Sequence, residues 1–269
     1  MNPFSFQPTT PGEYLLHFLT ENILREDGIS IPEEFSWSNA IGGRGQALRD
    51  YVVSVSSLNL TARFIKKAER VLDIDDSSLH HGEFARYLQQ TLGLVRHPRD
   101  VVDEIARQAL YAAKMSKRSI SKATKRKVRD NAIEVECYLC GNMCIHKSED
   151  PKSAIYYEHI WPASYGGDSI EQNLLPACYG CNEAKKDMLL WQTGAIFSFV
   201  LKPSPSEIER TSIARREKVA RRMQDILFRA NLDQSSLKDA ARKIGPAKFE
   251  NLVAIDSEDA IDYFNLHFN

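Results

Sequence analysis

Cys137-Tyr138-Leu139-Cys140, then Tyr156-Tyr157-Glu158-His159-Ile160-Trp161-Pro162, then Cys178-Tyr179-Gly180-Cys181-Asn182-Glu183-Ala184-Lys185-Lys186: read together, these stretches decide the fold of the middle of the chain. Two CxxC pairs can close a tetrahedral metal site, and residues 141–177 between them are too few to bury a core without such a staple. Zinc is the expected metal, with Cys137, Cys140, Cys178 and Cys181 as its structural ligands. The chain has only five cysteines, and two pairs at this spacing rarely arise by chance in so few. Cys144, the fifth, reads as an ordinary buried thiol beside the knuckle, or as a substitute ligand if one of the four pairs badly. The metal would hold the loop that presents Glu158 and His159.

Outward from this segment, a length of 269 residues and 43% apolar content allow one large domain or two ordinary ones with a real core. No stretch approaches the ~20 apolar residues needed to span a bilayer. The start, Met1-Asn2-Pro3-Phe4, lacks the charged and apolar blocks of a signal peptide. A soluble, cytoplasmic protein with no membrane partner is therefore expected, and the cysteine usage suits a reducing compartment better than a disulfide scaffold.

The formal net charge of -1 excludes a uniformly basic coat, so the distribution of charge matters more. Residues 114–129 carry eight cations (Lys114, Lys117, Arg118, Lys122, Lys125, Arg126, Lys127 and Arg129), with no acid between Glu104 and Asp130. Unneutralised cations repel one another, and a polyanion relieves that repulsion while releasing its own counterions. Lys117, Arg118, Lys122, Lys125, Arg126 and Lys127 are accordingly candidates for nucleic-acid contact. A second cluster (Arg210, Arg215, Arg216, Lys218, Arg221, Arg222) is diluted by Glu207, Glu209 and Glu217, and a solvated helix face explains it equally well.

Residues 1–130 show helical periodicity, first in Leu15, Leu16, Phe18, Leu19, Ile23 and Leu24, after Pro11-Gly12. Further helices are expected at 45–56, 60–72, 82–94 and 99–128, broken by residues 73–78 and by His97-Pro98. The last has an apolar stripe of Val101, Val102, Ile105, Ala109, Leu110 and Ala113 and ends in the basic run. Gly42-Gly43-Arg44-Gly45 lacks the preceding strand and following Lys-Ser or Lys-Thr of a phosphate loop and reads as a flexible turn. Aromatic and glycine content rises at 135–190, with an extended segment at 153–157. An apolar segment at 189–201, a helix from about 207 to 230 capped by Ser204 or Ser206, and short helices at 233–244 and 257–264 complete the chain. The expected organisation is α+β and mainly helical: a helical domain at 1–130, a small module at 131–192, and a helical region at 193–269 packing back on the first helices. There is no internal repeat.

The residue types in the module suit phosphodiester hydrolysis, which needs a deprotonated water, charge neutralisation at phosphorus and help for the departing 3′ oxygen. His159 can take a proton from water near neutral pH. Glu158 and Asn182 offer hard oxygen ligands for Mg²⁺ or Mn²⁺. Neighbours on an ideal strand point to opposite sides, so bringing Glu158 and His159 to one cleft requires a turn at the strand end. Lys185 and Lys186, about one turn after Asn182, are placed to meet phosphate. Trp161 and Trp191 read as packing residues, with Trp161 also near enough to His159 to stack on a nucleotide. His17, His80, His81, His97, His146 and His267 lack partners at ligand spacing, though His146 lies near Cys144 and could contact substrate.

Residues 135–188 resemble the HNH endonuclease superfamily, in its zinc-bearing ββα-metal branch. The resemblance rests on Glu158-His159-Ile160-Trp161-Pro162, Gly166-Gly167-Asp168, Asn173-Leu174-Leu175-Pro176 and Cys178-Tyr179-Gly180-Cys181-Asn182-Glu183-Ala184-Lys185, in that order. It implies a zinc-stapled ββα-metal module with His159 as general base and Glu158 and Asn182 holding a catalytic Mg²⁺ or Mn²⁺. Asn173 would pin the loop that carries His159. It further implies DNA as substrate and nicking by a monomer. Two positions depart from the common pattern: Glu158 stands where Asp is more frequent, which shifts or weakens the ion, and Asn182 stands where His is frequent, which favours Mg²⁺. HNH modules with helical flanks also resemble effectors of bacterial antiphage systems, Zorya-type and Septu-type loci among them, and restriction enzymes, so partner proteins of a defence system are a further expectation. The competing expectations are a non-catalytic zinc-dependent DNA-binding protein and a complex-scaffolding subunit.

Overall fold

The computed structural model describes residues 4–24, 45–189, 207–247 and 249. The expected turn at 42–44, residues 190–206 with Trp191 and the capping serines, and the helix at 257–264 with His267 lie outside the described residues. Helix and sheet are mixed, and the chain divides into two compact units: Met1–Phe4, Pro8–Ser119 and Ala163–Ser169 form one, and Ser5–Gln7, Ile120–Pro162 and Ile170–Asn269 the other.

The first unit is helical. Its α1 (Pro11–Leu19) starts in a capping box in which Glu13 N–H donates to the Thr10 hydroxyl and the Glu13 carboxylate accepts from the Thr9 and Thr10 N–H groups. Four orphan donors await satisfaction at any helix start, and Thr10-Pro11-Gly12-Glu13 meets that need locally. The expected helices at 45–56 and 60–72 are one, α2 (Gly45–Leu72). The hydroxyls within it stay in the helix: Ser57 and Thr61 donate to the carbonyls of Val53 and Ser57, each at 2.8 Å. The expected helix at 82–94 begins earlier, as α3 (His80–Arg86), continues as a π-helical turn over Tyr87–Thr91, and stops at Gly93 with φ 72°. The α4 helix (Arg99–Ser116) packs against α1, α2 and α3. Ala106, Ala109, Ala112 and Ala113, all at 0% exposure, let it approach closely, and Leu15, Leu19, Phe64, Ile65, Phe84, Leu88 and Ile105 fill the core. Each such large side chain contributes about 1.5–3 kcal/mol on burial.

The expected helix at 99–128 is broken. Once the apolar stripe of α4 ends, nothing holds the basic residues in its register, and Ser121 starts a new helix, α5 (Lys122–Val128), by accepting from Thr124 N–H at 3.0 Å. The unit boundary falls here, between Ser119 and Ile120, not near residue 130.

In the second unit β1 (Glu134–Glu136) and β2 (Met143–Ile145) form an antiparallel hairpin. A second antiparallel pair joins β3 (Tyr156–His159) to β4 (Leu174–Ala177), with Glu158 opposite Leu175 and His159 opposite Leu174. The α6 helix (Tyr179–Lys185) follows β4 directly. The Tyr138 N–H donates to the Pro176 carbonyl at 3.0 Å and ties the first hairpin to β4.

The C-terminal helices α7 (Glu207–Asp233) and α8 (Leu237–Ile244) belong to this same unit, where packing on the N-terminal helices was expected. The reason is where their apolar faces go: α7 packs on α6 and α8, with Val219, Ala220, Met223 and Ile226 buried. The Ala247 N–H donates to the Leu139 carbonyl. Residues 5–7 join in, with the Asn231 carboxamide oxygen accepting from the Ser5 and Phe6 N–H groups.

Candidate metal centre and adjoining site

The four expected cysteines converge. The Sγ atoms of Cys137, Cys140, Cys178 and Cys181 all lie within 4.8 Å of one another, and all four residues are buried. Cys137 and Cys140 sit at the tip of the β1–β2 hairpin, where the Cys137 N–H donates to the Asn142 carbonyl and Gly141, at φ 76°, donates back to the Cys137 carbonyl. The positive φ closes that turn, and glycine adopts it without steric cost. Cys178 and Cys181 come from the junction of β4 and the first turn of α6.

A tetrahedral zinc with Zn–S bonds of about 2.3 Å separates its sulfurs by about 3.8 Å. Cys140 Sγ and Cys178 Sγ are 3.7 Å apart. The thiols already act on one another: hydrogen bonds from neighbouring sulfurs, Cys140 first, bring Cys137 down to about 7, and those from Cys137, Cys140 and Cys181 depress Cys178. Such a cluster cannot ionise fully without a cation among its sulfurs, and it can bind a metal such as zinc. Cys144 stands apart from it. Its thiol donates to the Asn142 carbonyl at 3.5 Å, and burial, then Cys137 and Cys178, pushes it up to about 12.

Beside this cluster β3, β4 and α6 form a strand-strand-helix unit. Glu158 and His159 both lie in β3, Glu158 buried and His159, the last residue of the strand, half-buried where the chain bends at Ile160. What joins them is Lys185. Its Nζ donates to Glu158 Oε1 at 2.8 Å and to the His159 carbonyl at 2.7 Å, and its side chain has 0% exposure. The expectation that Lys185 meets phosphate is thereby overturned: the amphipathicity of the short α6 points Lys185 inward and leaves Lys186 exposed.

Burial pushes the Glu158 carboxyl above its usual range, and the ammonium of Lys185 opposes that shift. His159 is lowered to about 4, by burial and then by the charge of Lys185, which keeps its imidazole neutral at neutral pH. Asn182, half-buried, precedes Lys185 by three residues and Lys186 by four, and its carbonyl accepts from the Lys186 N–H.

Asn173 is 2% exposed and faces the residues just after His159. Its carboxamide oxygen accepts from the Trp161 N–H at 2.8 Å, its NH₂ donates to the Trp161 carbonyl at 2.9 Å, and its own carbonyl accepts from the Ile160 N–H. Trp161 is 1% exposed with its ring 6.3 Å from that of Phe6, so it packs and cannot stack on a nucleotide. Gly166-Gly167-Asp168 belong to the helical unit, where Gly12 N–H donates to the Gly166 carbonyl.

The expected basic residues divide between the units. Lys117 and Arg118 are exposed in the helical unit, with Lys117 3.5 Å from Asp73. On α5, Lys122, Lys125, Arg126 and Lys127 are exposed, Lys125 lies 5.5 Å from the Tyr157 ring centroid, and Lys127 approaches Glu171. In the second cluster Arg222 is buried and Lys218 donates to the Phe249 carbonyl, so part of that charge is structural. Arg215 is exposed. No protein-family model matches the chain, and comparison with curated proteins and with solved structures finds no similar one. Among the described residues no helix is long and apolar enough to cross a membrane.

Proposed function

We propose that the protein is a metal-dependent endonuclease of the HNH type that hydrolyses DNA phosphodiester bonds, with zinc on the four cysteines as a structural element. The observation that carries the reading is the order β3, Asn173, β4, α6. It has Glu158 and His159 on one strand, the backbone at Trp161 clamped by the Asn173 carboxamide, and a following helix that carries Asn182 and whose Lys185 bonds Glu158.

Two metals of different chemistry fit the donors. The soft thiolate set suits zinc. Glu158 and Asn182 supply hard oxygens, and among the described residues only Lys185 hydrogen-bonds to the Glu158 carboxylate, through Oε1. A bound Mg²⁺ or Mn²⁺ would neutralise charge developing on the phosphate. His159 accepts the proton of the attacking water as the new P–O bond forms, and the P–O3′ bond breaks with the 3′ oxygen taking a proton from solvent. Lys185 fixes Glu158 and the His159 backbone, Asn173 fixes the chain beyond them, and Lys186 and the exposed face of α5 meet flanking phosphates. The helical unit would set target or partner, in antiphage defence or restriction; the resemblance alone carries that part.

One observation favours a rival. Glu158 is 7% exposed and ion-paired, as in a module that keeps its carboxylate for structure and only binds DNA. Incubating supercoiled plasmid with Mg²⁺ or Mn²⁺ decides between them. Wild type should nick and His159→Ala should not, whereas no nicking under any condition, or equal nicking by the variant, would sink the catalytic assignment.

A further inference from the structure

A groove of about 530 Å³ opens beside Cys178, lined by Met143 from the hairpin, Lys152, Tyr179 and Gly180 at the start of α6, and Arg215 from α7. Cys178 of the cysteine cluster forms part of its wall, and neither Glu158 nor His159 lines it. Tyr179 is 41% exposed and Met143 52%, so the groove presents an aromatic face and an apolar edge to solvent. The Tyr179 ring is backed by that of Tyr156, whose centroid is 5.7 Å away at a tilt of 56°. Two aromatic rings in contact hold the outer one in place.

The two charged side chains that line the groove, Lys152 and Arg215, are both cations, and the Asp150 carboxylate beside them is taken up by the Lys152 N–H and the Ser153 hydroxyl. Among the described residues neither Arg215 nor Lys152 has an acidic partner within ion-pair distance. Arg215 lies over the backbone of α6, and it does so because residue 180 is glycine: a Cβ there would stand 3.1 Å from Arg215 Cζ and closer still to Nη1. The absent side chain lets a guanidinium lie against the helix, on the same groove wall as the exposed tyrosine.

We infer that this groove is a track for an unpaired DNA strand, with Arg215 and Lys152 on successive phosphates and Tyr179 under a base. Cations that follow a backbone, combined with an exposed aromatic face, are the arrangement by which proteins hold single strands without reading their sequence. A duplex fits less well, because its bases are stacked on one another and offer no face to Tyr179. The inference rests on DNA being the substrate, and it narrows the substrate to DNA with an unpaired segment next to the cut.

The test is a binding titration that does not depend on cleavage. The full-length, zinc-loaded protein is titrated, without added Mg²⁺ or Mn²⁺, against a fluorescent oligothymidine of about a dozen nucleotides. Tyr179→Leu is expected to weaken binding about tenfold, within the range found for loss of one stacked base, while Tyr179→Phe retains it. Arg215→Ala and Lys152→Ala should each weaken binding and each lower the slope of log affinity against log salt by about 0.7. Arg86→Ala, in the helical unit, is the control. Unchanged affinity and slope in the double variant Lys152→Ala, Arg215→Ala would overturn the inference. So would zinc loss from Arg215→Ala with binding falling only in proportion, since the guanidinium would then serve the cysteine cluster. If wild type fails to nick plasmid but binds the oligonucleotide through these residues, the nuclease reading fails and the track stands.

Discussion

Lys185 and Glu158 form a buried ion pair in which each residue's cost depends on the other. Replacing one partner leaves an uncompensated charge inside the protein, which typically costs about 3–5 kcal/mol, while replacing both with neutral groups costs far less. Lys185→Met alone should therefore destabilise strongly, and adding Glu158→Gln should restore most of the loss in urea unfolding. A Lys185→Met protein as stable as wild type would mean that the pair contributes nothing. His17, on α1, gives a second test. Burial lowers it to about 4, against 6.5 for the exposed group. As pH falls below about 6.5 the unfolded chain takes up a proton that the folded one refuses, so stability is complete above that value and drains away toward pH 4. Thermal midpoints should fall across this window, and fall less in His17→Gln; equal slopes would contradict the assignment. At this scale the four cysteines were legible because CxxC spacing is a local constraint that needs no tertiary context. The burial of Lys185 was not legible: two adjacent lysines look alike in sequence, and only the docking of α6 on β3 decides which goes inside.

Elements were legible where apolar periodicity and punctuation agreed, and misread where a hydroxyl bonded the backbone within one turn on either side of it. The amphipathic stretch of α1 and the apolar stripe of α4 follow from spacing alone. The break in the basic run and the continuity of α2 depended on hydroxyls, Ser121 capping a new helix and Ser57 and Thr61 satisfied within an old one. The segment 163–169 shows how tightly one element constrains another. Gly166 has φ 82°, and a Cβ there would meet Ala112 Cβ and Ile65 Cδ1 at 2.9 Å and Gly12 Cα at 3.0 Å. Gly166→Ala should cost about 1–3 kcal/mol from overpacking, with the left-handed backbone adding to it. Gly82, with nothing within 4 Å of its Cβ position, is the matched control. Gly82→Ala should leave the melting temperature unchanged or raise it. Equal melting of Gly166→Ala and Gly82→Ala would remove the close packing of this loop from the account.

At the scale of the molecule, the division into two units could not be read from sequence, because it is not contiguous. The β3–β4 connection gives residues 163–169 to the helical unit, while residues 5–7 join the cysteine unit. Linear inspection finds boundaries in composition, and here the boundaries follow contacts between residues far apart in the chain. Spacing alone exposed the clustered thiols, and it motivates the proposed separation of roles within the cysteine unit, with Glu158, His159 and Asn182 on β3 and α6 as the catalytic donors. Zinc content measured beside plasmid nicking tests that separation in one preparation. Cys178→Ser should lose the zinc and the folded cysteine unit together. Asn182→Ala, one residue beyond Cys181, should keep the zinc content of wild type and lose nicking in Mg²⁺. Loss of zinc from Asn182→Ala would contradict the two-site account.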